Sequence, residues 1–119
     1  MSNRTIRILD LEGNALNDVS VSKISNALVH NESLEFLCLD FNDLGQYGTR
    51  AITSMLQRNR SLKELHLFGN QIDSVGATAL ANSLRHNSRD WSPPNLFSIS
   101  ISSLYVKEQS FILLPASQQ

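Results

Sequence analysis

The sequence lacks most of the features that mark membrane, secreted or nucleic-acid-binding proteins. Its single cysteine, Cys38, cannot form an internal disulfide, which agrees with a reducing compartment, so we expect a cytoplasmic or nuclear protein. No window approaches the roughly 18 consecutive apolar residues of a membrane span, and the N-terminal stretch has no apolar core of a signal peptide. The formal net charge is -1, and lysine and arginine form no single run. We therefore expect a soluble globular chain with neither nucleic acid nor membrane as its partner.

Motifs for catalysis and for cofactor binding are missing as well. The sequence has no glycine-rich phosphate loop, no paired-carboxylate motif and no histidine cluster with metal-ligand spacing. It therefore predicts no catalytic residues, no metal and no cofactor.

What the sequence does contain is a repeat of 28 residues. Ile6, Leu34 and Leu62 begin its three copies. The same spacing relates Leu9, Leu37 and Leu65; Leu11, Leu39 and Leu67; Asn14, Asn42 and Asn70; Leu16, Leu44 and Ile72; Ile24, Ile52 and Leu80; Leu28, Leu56 and Leu84; and Asn31, Asn59 and Asn87. A fixed period of this length is typical of a solenoid, in which each unit buries its apolar face against its neighbours. We therefore divide residues 1–89 into repeats 6–33, 34–61 and 62–89.

Each half of the repeat predicts a different element. Leu37 and Leu39 alternate with polar and aromatic residues, which is the period of a strand with one buried face. Ile52 and Leu56 lie four residues apart, with Met55 beside them, which is typical of an amphipathic helix. The unit is strand, turn and helix, so the fold class is α/β with parallel strands.

An asparagine follows each predicted strand, at Asn14, Asn42 and Asn70. A side chain with both a donor and an acceptor can satisfy a backbone N–H and a C=O where a strand ends. Stacked copies are therefore expected to form a structural asparagine ladder. Gly48 and Gly76 are expected just before the helices, where they would permit tight turns or close backbone approach.

The pattern L-x-x-L-x-L-x-x-N-x-L-G-x-x-G resembles the leucine-rich repeat family, and its 28-residue length resembles the ribonuclease-inhibitor-like class. The match is most complete in residues 34–61, which carry both Gly45 and Gly48. The class is similar to the C-terminal repeats of NOD-like receptors and to the core of Ran GTPase-activating proteins. The resemblance implies a short curved horseshoe with strands on the concave face, helices on the convex face, and a role in protein recognition.

The repeat breaks down after residue 89. Asp90 stands where a fourth copy should begin with leucine, and the spacing resumes six residues late, with Leu96, Ile99 and Ile101. Leu104 replaces the ladder asparagine in that copy. Residues 90–119 are therefore expected to form either a degenerate fourth repeat that caps the stack or an irregular tail. Nothing ahead of Ile6 would cover the first strand, which favours a fragment of a longer solenoid or a partner that supplies the cover.

The strand residues that alternate with the core leucines should form the concave face. We expect partner binding there, at Ile8, Asp10, Glu12, Phe36, Cys38, Asp40, Glu64, His66 and Phe68. Apolar anchors beside carboxylates suit a protein partner with a basic and apolar segment. The alternative is that so short a face is merely solvated.

One row across this face has side chains that could perform chemistry. Asp10, Cys38 and His66 occupy the same repeat position, and all three side-chain types can bind zinc. Strands about 4.8 Å apart would separate the outer members by nearly 10 Å, which is too far for one ion unless the side chains converge. A small metalloenzyme or a Cys–His nucleophile is thus the less favoured hypothesis.

Three N-x-S/T motifs, at Asn3, Asn31 and Asn59, share one repeat position and are interpreted as structural, not as glycan acceptors. The favoured function is a non-catalytic protein interaction module. The alternative is a fragment of a regulatory or sensor protein of the NOD-like receptor or GTPase-activating type. No nucleotide-binding motif is present to operate a switch.

Overall fold

The computed structural model describes residues 3–87, 97–101, 106–108 and 111–114. Its elements, in chain order, are β1 (Ile8–Asp10), α1 (Asp18–Val29), β2 (Phe36–Cys38), α2 (Gln46–Arg58), β3 (Glu64–His66), α3 (Ser74–Arg85), β4 (Phe97–Ser100), β5 (Val106–Glu108) and β6 (Phe111–Leu114). Strand and helix alternate through the three repeats, as the two halves of the repeat pattern predict. The α/β repeat fold is confirmed.

The repeat length sets the register of the first three strands, in which Leu9 pairs with Leu37 and Leu37 with Leu65. Ile99 on β4 also pairs in parallel with Leu65, although it follows that residue by 34 positions and not 28. The sheet order is β1-β2-β3-β4-β6-β5. Strands β5 and β6 pair in antiparallel orientation, which the repeat pattern does not predict.

The core lies between the sheet and the helices. Leu37, Leu65 and Ile99 in mid-strand are buried, and so are Ile52 and Leu80 on the helix faces toward them. Burial is weaker in the first repeat, where Ile6 is 46% exposed while its equivalents Leu34 and Leu62 are 3% and 1% exposed. The difference follows from stacking, since each repeat is covered by its neighbours and β1 has a strand on one side only.

Residues 97–101 extend this core beyond the third repeat. Ile99 and Ile101, which fit the leucine spacing, are 0% and 2% exposed, and Phe97 is 1% exposed. The Leu67 N–H donates to the Ser100 carbonyl at 2.7 Å. Leu96 and Leu104 lie outside the described residues, so the assignment of 90–119 as a degenerate repeat or an irregular tail stays a prediction.

The helices begin with caps that differ between repeats. The side chain of Asn17 accepts the Ser20 N–H at 3.0 Å, and that of Asp73 accepts the Gly76 N–H at 2.9 Å. Helix α2 instead follows Gly45, whose N–H donates to Asp18 Oδ1 of the preceding repeat at 2.7 Å. The start of α2 is therefore held by a side chain of the preceding repeat and not by a capping side chain of its own.

Gly48 and Gly76 lie inside the first turns of α2 and α3, not before the helices. Their role is therefore close packing. A Cβ at Gly48 would collide with the buried Leu44 side chain and lie 2.6 Å from Asp18 Oδ1. At Gly76 the nearest atom, on Ile72, would be 3.1 Å away.

The asparagines after the strands bond to the preceding repeat. Asn42 Nδ2 donates to the Leu11 carbonyl at 3.0 Å, and Asn70 Nδ2 donates to the Leu39 carbonyl at 2.8 Å. Asn70 Oδ1 also accepts the Leu44 N–H at 3.0 Å. These bonds satisfy backbone groups where the strands end, as argued from the side-chain chemistry of asparagine.

A second asparagine column joins the helix ends. Asn59 Nδ2 donates to the carbonyls of Leu28 and Asn31, at 2.7 and 3.1 Å. Asn87 Nδ2 repeats this with Leu56 and Asn59, at 2.6 and 3.0 Å. The amide nitrogen that a glycan would need is therefore occupied at Asn59, which is 3% exposed.

Among the described residues, none of the helices combines the length and the apolar character needed to cross a bilayer.

Candidate functional site

The candidate site is the sheet face opposite the helices, which we call the open face. Its predicted residues fall into three classes of exposure. Exposed are Ile8, Asp10, Glu12 and Glu64; half-buried are Phe36, Asp40, His66 and Phe68; and buried is Cys38. The exposure expected from strand alternation is wrong for Cys38, which is 6% exposed. Cys38 is paired in register with Asp10 on β1 and with His66 on β3.

An apolar strip and an aromatic contact cross the open face. Ile8, 70% exposed, pairs in register with Phe36 on β2. The Phe36 ring lies against the His66 ring on β3, with centroids 4.9 Å apart and planes tilted by 40°. His66 Nε2 lies 3.1 Å from Glu64 Oε2, so a carboxylate orients the imidazole from its own strand. The strip of Ile8 and Phe36 and the contact of Phe36 with His66 together reach across all three repeat strands.

The row of Asp10, Cys38 and His66 does not converge into one site. The carboxylate oxygens of Asp10 and Glu12 lie with Cys38 Sγ within 4.8 Å of one another, and His66 is not in that group. Burial raises the pKa of the Cys38 thiol from 9.0 to about 12, and the carboxylates of Asp40 and Asp10 add to the rise. A thiol that holds its proton this tightly is a poor nucleophile at neutral pH.

The turn after each strand has a left-handed residue at the same repeat position. The φ angles are 68° at Gly13, 56° at Phe41 and 76° at Gly69. Backbone bonds link these turns, since the Gly13 N–H donates to the Asp40 carbonyl at 3.0 Å and the Phe41 N–H to the Phe68 carbonyl at 2.8 Å. Glycine suits this conformation, whereas other residues pay about 1–2 kcal/mol for it. Phe41 is therefore an outlier in its column.

Phe41 is also prominent on the surface. Its side chain is 53% exposed and meets Phe68 edge to face, with ring centroids 5.2 Å apart and planes at 88°. It lies over Gly69, where an added Cβ would collide with the Phe41 ring. Strand alternation alone does not predict Phe41 as a binding residue, but the repeat alignment carries a signal, namely a phenylalanine at the repeat position of Gly13 and Gly69.

Charge is distributed unevenly along each repeat. Residues 8–22, 36–49 and 64–84, which run from each strand into its helix, contain no lysine or arginine. They contain the carboxylates of Asp10, Glu12, Asp18, Asp40, Asp43, Glu64 and Asp73. Cations instead flank the strand entries, where Arg7 and Lys63 lie 3.3 and 3.9 Å from Glu35 Oε2. The edge where the strands end is therefore acidic, despite the near-zero net charge.

Comparison with known proteins supports the fold. A family model described as leucine-rich repeat matches residues 2–25 and 58–81, two segments that begin two repeat lengths apart. Among solved structures, leiomodin-1 actin-binding site 2 is similar, with a TM-score of 0.65 and 24% identity, over 71% of this chain and 50% of that one. The chain thus spans half the length of that neighbour, and the likeness shows a shared leucine-rich-repeat fold. No curated protein sequence matches the chain.

Proposed function

We propose that this leucine-rich-repeat chain is a non-catalytic interaction module that presents the open face to a protein partner in the cytoplasm. The observation that carries the proposal is the strip of Ile8 and Phe36, an apolar anchor on a rigid sheet with exposed carboxylates around it. Apolar and aromatic anchors inside a polar rim are the usual source of affinity in protein interfaces.

The stacked strands favour binding by pre-organisation. Each strand is held in parallel register by its neighbours, and Phe36 and His66 are packed against each other. Residues that are already ordered lose little conformational entropy when a partner docks. A short array of three repeats can therefore offer a defined surface without a folding step.

The charge of the open face supports a partner segment with basic and apolar side chains. Asp10, Glu12 and Glu64 are exposed, and the strand-to-helix stretches contain no cation of their own. Carboxylates of this kind repel phosphate backbones and acidic lipids, and they attract lysine and arginine.

The 28-residue unit, with its helices of 12 or 13 residues, supports the ribonuclease-inhibitor-like class for this chain. A place in a larger regulatory or sensor protein follows from that class as an alternative role.

The test compares two baits for partners in a cytoplasmic extract. One is the parent chain, and the other is a double variant that combines Glu12→Lys with Glu64→Lys. Within the described residues, neither carboxylate accepts a backbone N–H, whereas Asp40 accepts the Phe68 N–H at 2.7 Å and is left intact. We expect the double variant to lose the proteins that the parent retains. The control reverses Lys23 and Arg50, exposed on α1 and α2, to Glu, and should retain them. Loss in both variants, or in neither, would contradict the open face as the binding surface.

Actin binding is a second candidate, favoured by the shared fold with leiomodin-1 actin-binding site 2. Cosedimentation with filamentous actin and gel filtration with monomeric actin test it directly. If the parent chain is recovered with either form of actin and the Glu12→Lys and Glu64→Lys double variant is not, actin is the partner. Absence of the chain from both actin fractions would remove this candidate and leave the interaction module in place.

A further inference from the structure

We propose that the edge formed by Phe41 and Phe68, together with Glu12, Asp40 and Asp43, binds an arginine side chain of the partner. We call these five residues the aromatic edge. The inference rests on the proposed function and deepens it, because it extends the open face to Phe41 and Asp43 and names the partner side chain that binds there.

The conformation of Phe41 indicates a role other than folding. Its φ of 56° is one that Gly13 and Gly69 adopt in the other repeats without a side chain to strain. Its ring is 53% exposed, so the side chain gains little burial in return. A bulky residue kept in an unfavourable and exposed place is the kind of outlier that points to function.

The ring is nevertheless held in a fixed position. It packs edge to face on Phe68, and it occupies the space over Gly69 that any larger residue would close. The backbones of the two aromatic residues are bonded through the Phe41 N–H and the Phe68 carbonyl, at 2.8 Å. The Phe68 N–H in turn donates to Asp40 Oδ1 at 2.7 Å. The aromatic edge is thus a preformed surface.

Charge complementarity identifies the occupant as a cation. Asp43 follows Phe41 by two residues and is exposed, and Glu12 lies on the adjacent turn, where the Gly13 N–H donates to the Asp40 carbonyl. Among the described residues, no ion pair joins Glu12 or Asp43 to a lysine or arginine. An aromatic ring beside carboxylates attracts a cation both through its π face and by charge.

Arginine fits this surface better than lysine. A guanidinium can stack its plane on a phenyl ring while its N–H groups reach a carboxylate at the side. The lysine ammonium is a compact, strongly hydrated charge that gains less from the ring. The proposal therefore predicts a preference between two cations of equal charge.

The test measures fluorescence anisotropy with two labelled 12-residue peptides, one alternating arginine with serine and one alternating lysine with serine. We expect the parent chain to bind the arginine peptide about fivefold more tightly. Phe41→Gly, which restores the glycine of the other repeats, should abolish that preference while the urea midpoint stays level or rises. Phe41→Leu keeps an apolar side chain without a ring and should abolish it too.

Three results would overturn the inference: equal affinity of the parent for both peptides, an unchanged preference in Phe41→Gly, or a clear fall in its urea midpoint, which would make Phe41 a packing residue. The proposed function fails separately. Suppose that charge reversal of Glu12 and Glu64 abolishes partner capture, but Phe41→Gly alters neither capture nor peptide preference. The open face is then supported as the binding surface, and the arginine site is ruled out.

Discussion

Asn42 completes the turn that contains Asn14, because its Oδ1 atom accepts the Asn14 backbone N–H at 2.9 Å. The same oxygen accepts the Leu16 N–H at 3.0 Å, and Nδ2 reaches back to the Leu11 carbonyl. Asn14, by contrast, donates to Glu12 of its own turn at 3.2 Å. The two asparagines share a repeat position, yet only Asn42 bonds to a repeat before it.

This difference predicts unequal effects of the same substitution. Asn42→Ala would leave several backbone groups of the first and second turns without partners, and we expect it to lower the free energy of unfolding by about 2–4 kcal/mol. Asn14→Ala, at an exposed site, should lower it by less than about 1 kcal/mol. Urea unfolding of both variants checks this. Equal losses of unfolding free energy would contradict a ladder in which each asparagine supports the repeat before it.

Gly48 in α2 and Gly76 in α3 share a repeat position, so the same substitution at both compares how tightly the two helices pack. Gly48→Ala puts a methyl group against the buried Leu44 and against Asp18, so we expect a loss of about 1–3 kcal/mol. Gly76→Ala meets only tight contacts, which the gain in helix propensity of about 1 kcal/mol should largely offset. Thermal unfolding would separate them, and a larger loss at Gly76 would contradict the packing argument.

The buried thiol predicts a pH effect on stability. Because burial raises the pKa of Cys38 from 9.0 to about 12, the folded state holds the proton more tightly than the unfolded state. Its contribution is complete below pH 9 and is lost as the pH rises toward 12. The free energy of unfolding should fall by up to about 1.4 kcal/mol per pH unit in that window.

The measurement is the difference between the parent and Cys38→Ala, because every other titratable group is common to both proteins. Urea unfolding at pH 8, 9 and 10 gives that difference. A gap between the two proteins that stays constant with pH would contradict a strongly raised thiol pKa.

Two isoleucines on opposite faces of the sheet test where the core ends. Ile99 on β4 is 0% exposed, and Ile99→Ala should lower the free energy of unfolding by about 2–5 kcal/mol. Ile8 on β1 is 70% exposed, and Ile8→Ala should change it by no more than about 0.5 kcal/mol. Similar small effects would mean that residues 97–101 do not belong to the folded core.

The sequence was sufficient for the parts of the fold that repeat. Leu37 and Leu65 pair in register because each has the same neighbours one repeat earlier and one repeat later, so a single pattern defines every interface. Cys38 could not be placed in this way. Alternation gives the face on which a side chain lies, but its burial depends on the size of unlike neighbours such as Asp10 and His66.

Departures from the repeat are visible in the sequence, but the sequence alone does not show what structure each departure produces. Phe41 replaces a glycine in its column, and only the backbone angle and the contact with Phe68 show that the substitution creates an exposed aromatic pair. The antiparallel pairing of β5 and β6 lies in the part of the chain without the pattern, where no column alignment could set a register.

The one-way ladder of asparagines also determines how such an array can lengthen. A duplicated segment inserted between two repeats would bring an asparagine for the unit before it and carbonyls for the asparagine after it. The bonds that span 28 residues, such as Asn59 to Asn31, would then form again at both new junctions. A unit of another length is also accommodated, because Ile99 follows Leu65 by 34 residues and still pairs with it in register.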